Sequence, residues 1–93
     1  MVVSEGDQEI DGELESALEL DIRGEVCPYT YVKTRLALEE MAVGQVLRVL
    51  VDYEPATRNV PRSVTLQGDE VLKVEAIGEG VWAIWIRKRN PSI

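Results

Sequence analysis

The residues best suited to chemistry are the only cysteine and the proline that follows it, Cys27 and Pro28, in the stretch LDIRGEVCPYT. A thiolate attacks sulfur and other electrophiles, and the positive end of a helix favours this anion. The pattern predicts a helix whose first residue is Pro28, where no N–H is needed, with Cys27 at its N-cap. Arg23 and Lys33 lie close in sequence and are expected to add positive potential around the thiol.

The chain has no histidine and no second cysteine, which excludes several kinds of catalytic site. Neither a Cys–His hydrolase pair nor a CxxC redox couple can be built, and we expect no metal and no cofactor. A thiolate that has neither a base nor a resolving thiol is suited to accepting a group and passing it on. From position alone two interpretations stay open, a reactive thiol and a small buried apolar residue.

The elements that position the cysteine follow from the hydrophobic pattern. Alternation around Leu20 and Ile22 predicts a short strand that ends at Gly24. Helical spacing then predicts a helix over residues 28–42, ended by Gly44. On the outer face of this helix, Val32 and Leu36 are expected to be exposed, either as a docking patch or without a role.

The remaining pattern completes a single domain. It predicts a strand at 46–51, a helical turn at 56–58 and a short second helix at 61–67. Two further strands follow at 71–77 and 81–87, joined by a tight hairpin at 78–80. The order βαβαββ implies an α+β fold, a two-layer α/β sandwich with two helices packed on one face of a four-stranded mixed sheet. Alternation places Trp82, Ile84 and Ile86 on the covered face and leaves Trp85 on the other, as a candidate interface residue.

Acidic residues are concentrated at the start of the chain. Residues 1–18 hold six of the 17 acids and no base, whereas residues 19–93 hold eleven acids and ten bases. We therefore predict a disordered acidic tail over 1–18, a domain over 19–89 and a short C-terminal tail over 90–93. A nearly neutral domain lacks the field that a nucleic-acid backbone attracts, so no nucleic-acid partner is expected.

The first residues, MVVSEGDQE, show neither the positive segment nor the apolar segment of a signal peptide. No apolar run approaches the roughly 20 residues that a membrane helix requires. We therefore expect a cytoplasmic protein without membrane contact, where a lone thiol stays reduced. A monomer is the favoured oligomeric state.

Five pieces of the chain, in the same order, resemble the TusA/SirA-like sulfur-carrier family between Leu20 and Lys88. They are LDIRGEVCP, MAVGQVLRVLVD, PATRNVP, QGDEV and IRK. The resemblance implies the two-layer βαβαββ fold and a relay protein rather than a stand-alone enzyme. It also implies a cysteine that accepts persulfide sulfur from a cysteine desulfurase or rhodanese-like donor. An acceptor protein would then receive the sulfur for tRNA thiolation, molybdenum cofactor supply or sulfur metabolism.

Carried over position by position, the resemblance makes Cys27 the sulfur-bearing nucleophile. Gly24 and Pro28 then support the helix start, and Arg58, within PATRNVP, lies near the cysteine in the fold. Two alternatives stay open: a regulatory or scaffold module in which Cys27 only packs, and an RNA-binding domain suggested by fold analogy.

The sequence departs from the family pattern in three places. Thr30 replaces the second proline of Cys-Pro-x-Pro, residues 59–61 read Asn-Val-Pro in place of Asp-Ile-Pro, and Asp69 replaces a histidine. The first change is expected to loosen the helix start without affecting the thiol. Together the departures bear on which proteins act as donor and acceptor.

Overall fold

The computed structural model describes residues 16–26 and 28–91, so Cys27 and most of the predicted acidic tail lie outside the described residues. The elements are β1 (Leu18–Asp21), α1 (Tyr29–Glu39), β2 (Val46–Val51), α2 (Ala56–Gln67), β3 (Glu70–Gly78) and β4 (Val81–Arg87). The strands form one sheet in the order β1-β2-β4-β3. Strand β1 is parallel to β2, and β4 is antiparallel to both β2 and β3. The predicted α+β fold is confirmed.

The core lies between the two helices and one face of the sheet. Strands β2 and β4 occupy the centre of the sheet, where Val49 pairs with Ile84 and both side chains are fully buried. Helix α2 contributes Ala56, Val60 and Val64, which the four-residue spacing places on one face. On the sheet, Ile84 and Ile86 of β4 belong to the same core, as the alternation of β4 predicts.

On the sheet face away from the helices, two cationic side chains lie over the indole of Trp85. The guanidinium of Arg48 lies 5.4 Å from the centre of the indole, and the Lys73 ammonium lies 5.3 Å from it. Cations at these distances attract the π face of the ring. Only 9% of Trp85 is exposed, so it is not the open surface aromatic that the sequence suggested.

The course of helix α2 and the end of helix α1 differ from the prediction. Helix α2 is continuous through Pro61, whereas the sequence pattern predicted a separate turn and a helix start at that proline. The stripe from Ala56 to Val64 is buried along its whole length, and this burial outweighs the hydrogen bond that the proline removes. Helix α1 ends at Glu39 rather than near residue 42, and Gly44 lies in the following turn with a φ of 97°.

None of the helices within residues 16–26 and 28–91 is both long enough and apolar enough to cross a bilayer.

Candidate functional site

The Cys-Pro junction belongs to one edge of the sheet, which we call the carboxyl edge because β1 and β2 both end there. Strand β1 ends at Asp21 and its parallel neighbour β2 ends at Val51. The chain enters both helices directly after these strand ends, and the turn between β3 and β4, at residues 79–80, lies at the same edge. The topology therefore places the start of both helices and this hairpin around the segment that carries Cys27.

Helix α1 starts one residue later than predicted. Its first residue is Tyr29, and Pro28 rather than Cys27 holds the N-cap position. The N–H groups of Tyr29 and Thr30 both donate to the carbonyl of Val26, at 2.8 and 3.3 Å. These two N–H groups are therefore already used and are not free to bind an anion at the start of the helix. The positive end of the helix dipole remains as the general influence that favours an anion here.

Thr30, which stands where the family has its second proline, makes hydrogen bonds at the helix start. Its N–H closes a turn with Val26, a bond that a proline could not make. Its side chain is fully buried, and its carbonyl accepts from the Thr34 hydroxyl at 2.7 Å. These bonds oppose the loosening that is expected from the loss of the second proline, which stays a prediction.

The loop before the cysteine is fastened to the end of β2 at two points. The Ile22 N–H donates to the carbonyl of Leu50 at 3.0 Å, and the Ile22 side chain is buried. Two residues further along each segment, the Gly24 N–H donates to Oδ1 of Asp52 at 2.8 Å. Gly24 has a φ of 95°, in the region that favours glycine over residues with a side chain.

Each candidate cation is paired with a carboxylate. Arg23 donates to Asp21 through Nε at 2.9 Å and through its terminal nitrogen at 2.6 Å. These hydrogen bonds lower the pKa of Asp21 from 3.8 to about 2, and they raise the pKa of Arg23. Lys33 Nζ lies 2.7 Å from Oε2 of Glu25. The cations therefore add less positive potential around the thiol than the sequence analysis expected.

Arg58 lies in the first turn of α2, which starts at the carboxyl edge. Its guanidinium is 2.6 Å from Oε2 of Glu54, four residues earlier in the chain. The hydrogen bond to Glu54, with the charge of that carboxylate, raises the pKa of Arg58. Both side chains are more than half exposed, so this pair is open to exchange with other charged groups.

A shallow cleft of about 450 Å³ lies beside the loop. It is lined by Asp21, Arg23, Gly24, Asp52 and Val81. The cleft combines two carboxylates with one guanidinium, and it connects the ends of β1 and β2 to the start of β4. The charged side chains of this cleft therefore lie next to the loop before Cys27.

Two acidic residues have structural roles that the sequence analysis did not assign. Asp52 holds Gly24, and the signal for it was an acidic residue directly after a buried strand. At the opposite edge of the sheet, the buried Asp69 accepts the N–H groups of Arg89 and Asn90, both at 2.9 Å. Asp69, at the family's histidine position, therefore holds the backbone that follows β4 and lies far from the Cys-Pro junction.

The sequence comparisons agree with the motifs. The family described as sulfurtransferase TusA matches residues 18–88. A protein of Archaeoglobus fulgidus named "Putative sulfur carrier protein" is 60% identical over 70 residues, which are 75% of this chain and 80% of that protein. A protein of the same name from Thermotoga maritima is 43% identical over 73% of this chain and 86% of its own length. The Escherichia coli protein TsuB is 30% identical over 74% of this chain and 92% of its own length.

The fold also has a counterpart among solved structures. The crystal structure of a SirA-like protein from Desulfitobacterium hafniense superposes with a TM-score of 0.69. The two chains are 26% identical, and the match covers 77% of this chain and 97% of the other.

Proposed function

Because the chain belongs to the sulfurtransferase TusA family, we propose that it is a sulfur carrier in which Cys27 holds the transferred sulfur as a persulfide. The observation that carries this proposal is that the chain's only cysteine stands in the family's Cys-Pro junction, within the matched residues 18–88. A carrier with a single thiol has one place to bind a persulfide sulfur. The names of the relatives, which refer to sulfur carriers, support the same role.

The proposed reaction is a transfer between two thiols. The Cys27 thiolate attacks the terminal sulfur of a persulfide on the donor protein. A new S–S bond forms on Cys27, the S–S bond of the donor breaks, and the donor cysteine leaves as a thiolate. No external oxidant is required, because the sulfur atom keeps its oxidation state as it passes between the cysteines. The same exchange in the next step hands the sulfur to an acceptor cysteine.

The partners of this reaction are a cysteine desulfurase or rhodanese-like donor and an acceptor protein. A partner cysteine must come within bonding distance of the Cys27 sulfur, so the partner must cover the carboxyl edge. We assign Arg23, Lys33 and Arg58 to the contact with these partners, since all three cations are about half exposed or more and paired only at the surface. An incoming acidic group can compete with surface pairs of this kind at little cost.

The experiment that tests the function is sulfur loading. The protein is incubated with a cysteine desulfurase, free cysteine and pyridoxal phosphate, and its intact mass is measured. We expect a gain of one sulfur atom that a reductant removes. If several unrelated donors, including a loaded rhodanese, give no adduct, the carrier function is wrong and the scaffold alternative takes its place.

A further inference from the structure

Asp52 connects the end of β2 to the loop that leads into Cys27. The parallel pairing of β1 with β2 ends in the backbone bond from Ile22 N–H to the Leu50 carbonyl. Gly24 and Asp52 each lie two residues beyond that pair, and Oδ1 of Asp52 accepts the Gly24 N–H at 2.8 Å. A side-chain carboxylate thus takes the place of the next carbonyl in the ladder.

The described part of the loop has few other attachments after Ile22. The N–H of Glu25 donates back to Ile22 at 3.1 Å, which closes the turn, and the Glu25 carboxylate pairs with Lys33 at the surface. Val26 is 47% exposed and therefore buries little apolar area. Gly24, with its positive φ, is the most mobile type of residue when it is not held. Among residues 16–26, the bond to Asp52 is thus the attachment to the sheet nearest in sequence to Cys27.

From this geometry we infer that Asp52 is a positioning residue for sulfur transfer, because its carboxylate oxygen fixes the loop three residues before Cys27. The inference rests on the proposed function. Transfer between two proteins requires the attacking sulfur to meet the donor persulfide in one geometry, and a loosely held nucleophile loses rate through orientation. In this role Asp52 acts through the acceptor oxygen that it offers to the Gly24 N–H.

Two substitutions separate this hydrogen bond from the charge of Asp52. Asp52→Asn and Asp52→Ala remove the same charge, but asparagine keeps an acceptor oxygen and alanine does not. Glu75→Gln is the control, because it removes an exposed carboxylate on β3, the strand farthest from β1 in the sheet, which pairs with Lys73 and not with the Gly24 N–H. Asp52 and Glu75 are both exposed, so all three variants are expected to fold, and their melting temperatures are measured alongside.

The first measurement is hydrogen exchange at the Gly24 amide, and the second is the rate of sulfur uptake from a persulfide-loaded desulfurase. We expect exchange in Asp52→Ala to be about two- to tenfold faster than in the parent and uptake to be slower by a similar factor, the range that one hydrogen bond is worth. Asp52→Asn and Glu75→Gln should stay within about twofold of the parent.

Three results would overturn the inference. They are equal uptake by the alanine and asparagine variants, unchanged exchange at Gly24 in the alanine variant, and a loss of uptake that parallels a large fall in melting temperature. If the parent takes up no sulfur at all, the proposed function fails but the positioning role is still tested by alkylation of Cys27 with iodoacetamide. A difference of about twofold or more between the alanine and asparagine variants supports the role, and equal rates overturn it.

Discussion

At the residue scale, carboxylates organise the segment around the cysteine. Asp21 binds the side chain and the N–H of Arg23, and Asp52 binds the N–H of Gly24. Arg23 pairs with Asp21, and Lys33 pairs with Glu25. We therefore expect the start of helix α1 to favour a thiolate at Cys27 more than the nearby positive side chains do.

The first prediction at this scale concerns Asp21. Its carboxyl should titrate with a pKa of about 2, because hydrogen bonds from Arg23 favour the charged form. The contribution of this pair to stability is present above the ordinary carboxyl pKa and is lost as the pH falls through about 2. NMR titration of the side-chain carbon measures this value. In Arg23→Gln the pKa should return toward 3.8, and an unchanged low value would show that Arg23 is not the cause.

The second prediction concerns the thiol of Cys27. Its pKa should lie below the free value of about 8.5, because the positive end of α1 favours the thiolate. The lowering should be modest, since the N–H groups of Tyr29 and Thr30 already donate to Val26. The rate of alkylation as a function of pH measures it. A value at or above that of a free cysteine would return Cys27 to the role of a buried apolar residue.

At the element scale, Lys88 fixes the end of helix α1. This lysine closes the family's IRK piece, is only 4% exposed, and donates from Nζ to the carbonyl of Leu38 at 2.6 Å. Its backbone also pairs with Gly44 and Gln45, which joins the end of β4 to the turn before β2. A cation at this position also complements the negative end of the helix dipole.

Lys88→Met should therefore lower the free energy of unfolding by about 1.5–3 kcal/mol, the contribution of a hydrogen bond from a charged donor, while the Leu38 carbonyl keeps its bond from the Met41 N–H. Urea denaturation measures the change. The matched control is Lys33→Met, which removes an ammonium paired only at the surface and should cost less than about 1 kcal/mol. Equal losses in the two variants would contradict a special role for Lys88.

The order and type of the elements were predictable from the sequence because β2 and β4 are dense runs of β-forming residues and because glycines and prolines mark the boundaries between elements. The continuity of α2 was not, because Pro61 is locally a helix-start signal and only burial of the stripe on both sides of it decides otherwise. The bond from Gly24 to Asp52 joins residues 28 positions apart, and Lys88 reaches Leu38 across 50. Contacts between residues so far apart in sequence depend on how the elements pack, and a local sequence pattern does not determine that packing.

At the scale of the whole molecule, the acidic segment and the folded domain are expected to be independent. The predicted tail ends at residue 18, where β1 begins, and the N–H of Ala17 pairs with the Val46 carbonyl at 2.8 Å. Deletion of residues 1–15 keeps this pair and should change the melting temperature by no more than a few degrees. Differential scanning calorimetry of the two forms is the measurement. A large fall would mean that the acidic segment docks on the domain.

The measurement that tests the central claim most directly is the location of the transferred sulfur. After loading by a cysteine desulfurase, the parent and Cys27→Ser are compared by intact mass and by mass spectrometry of their peptides. We predict that the parent gains one sulfur atom on the peptide that contains Cys27, that a reductant removes it, and that Cys27→Ser gains none while it keeps the parent's melting temperature. An equal gain by Cys27→Ser, or no gain by the parent, would contradict the account.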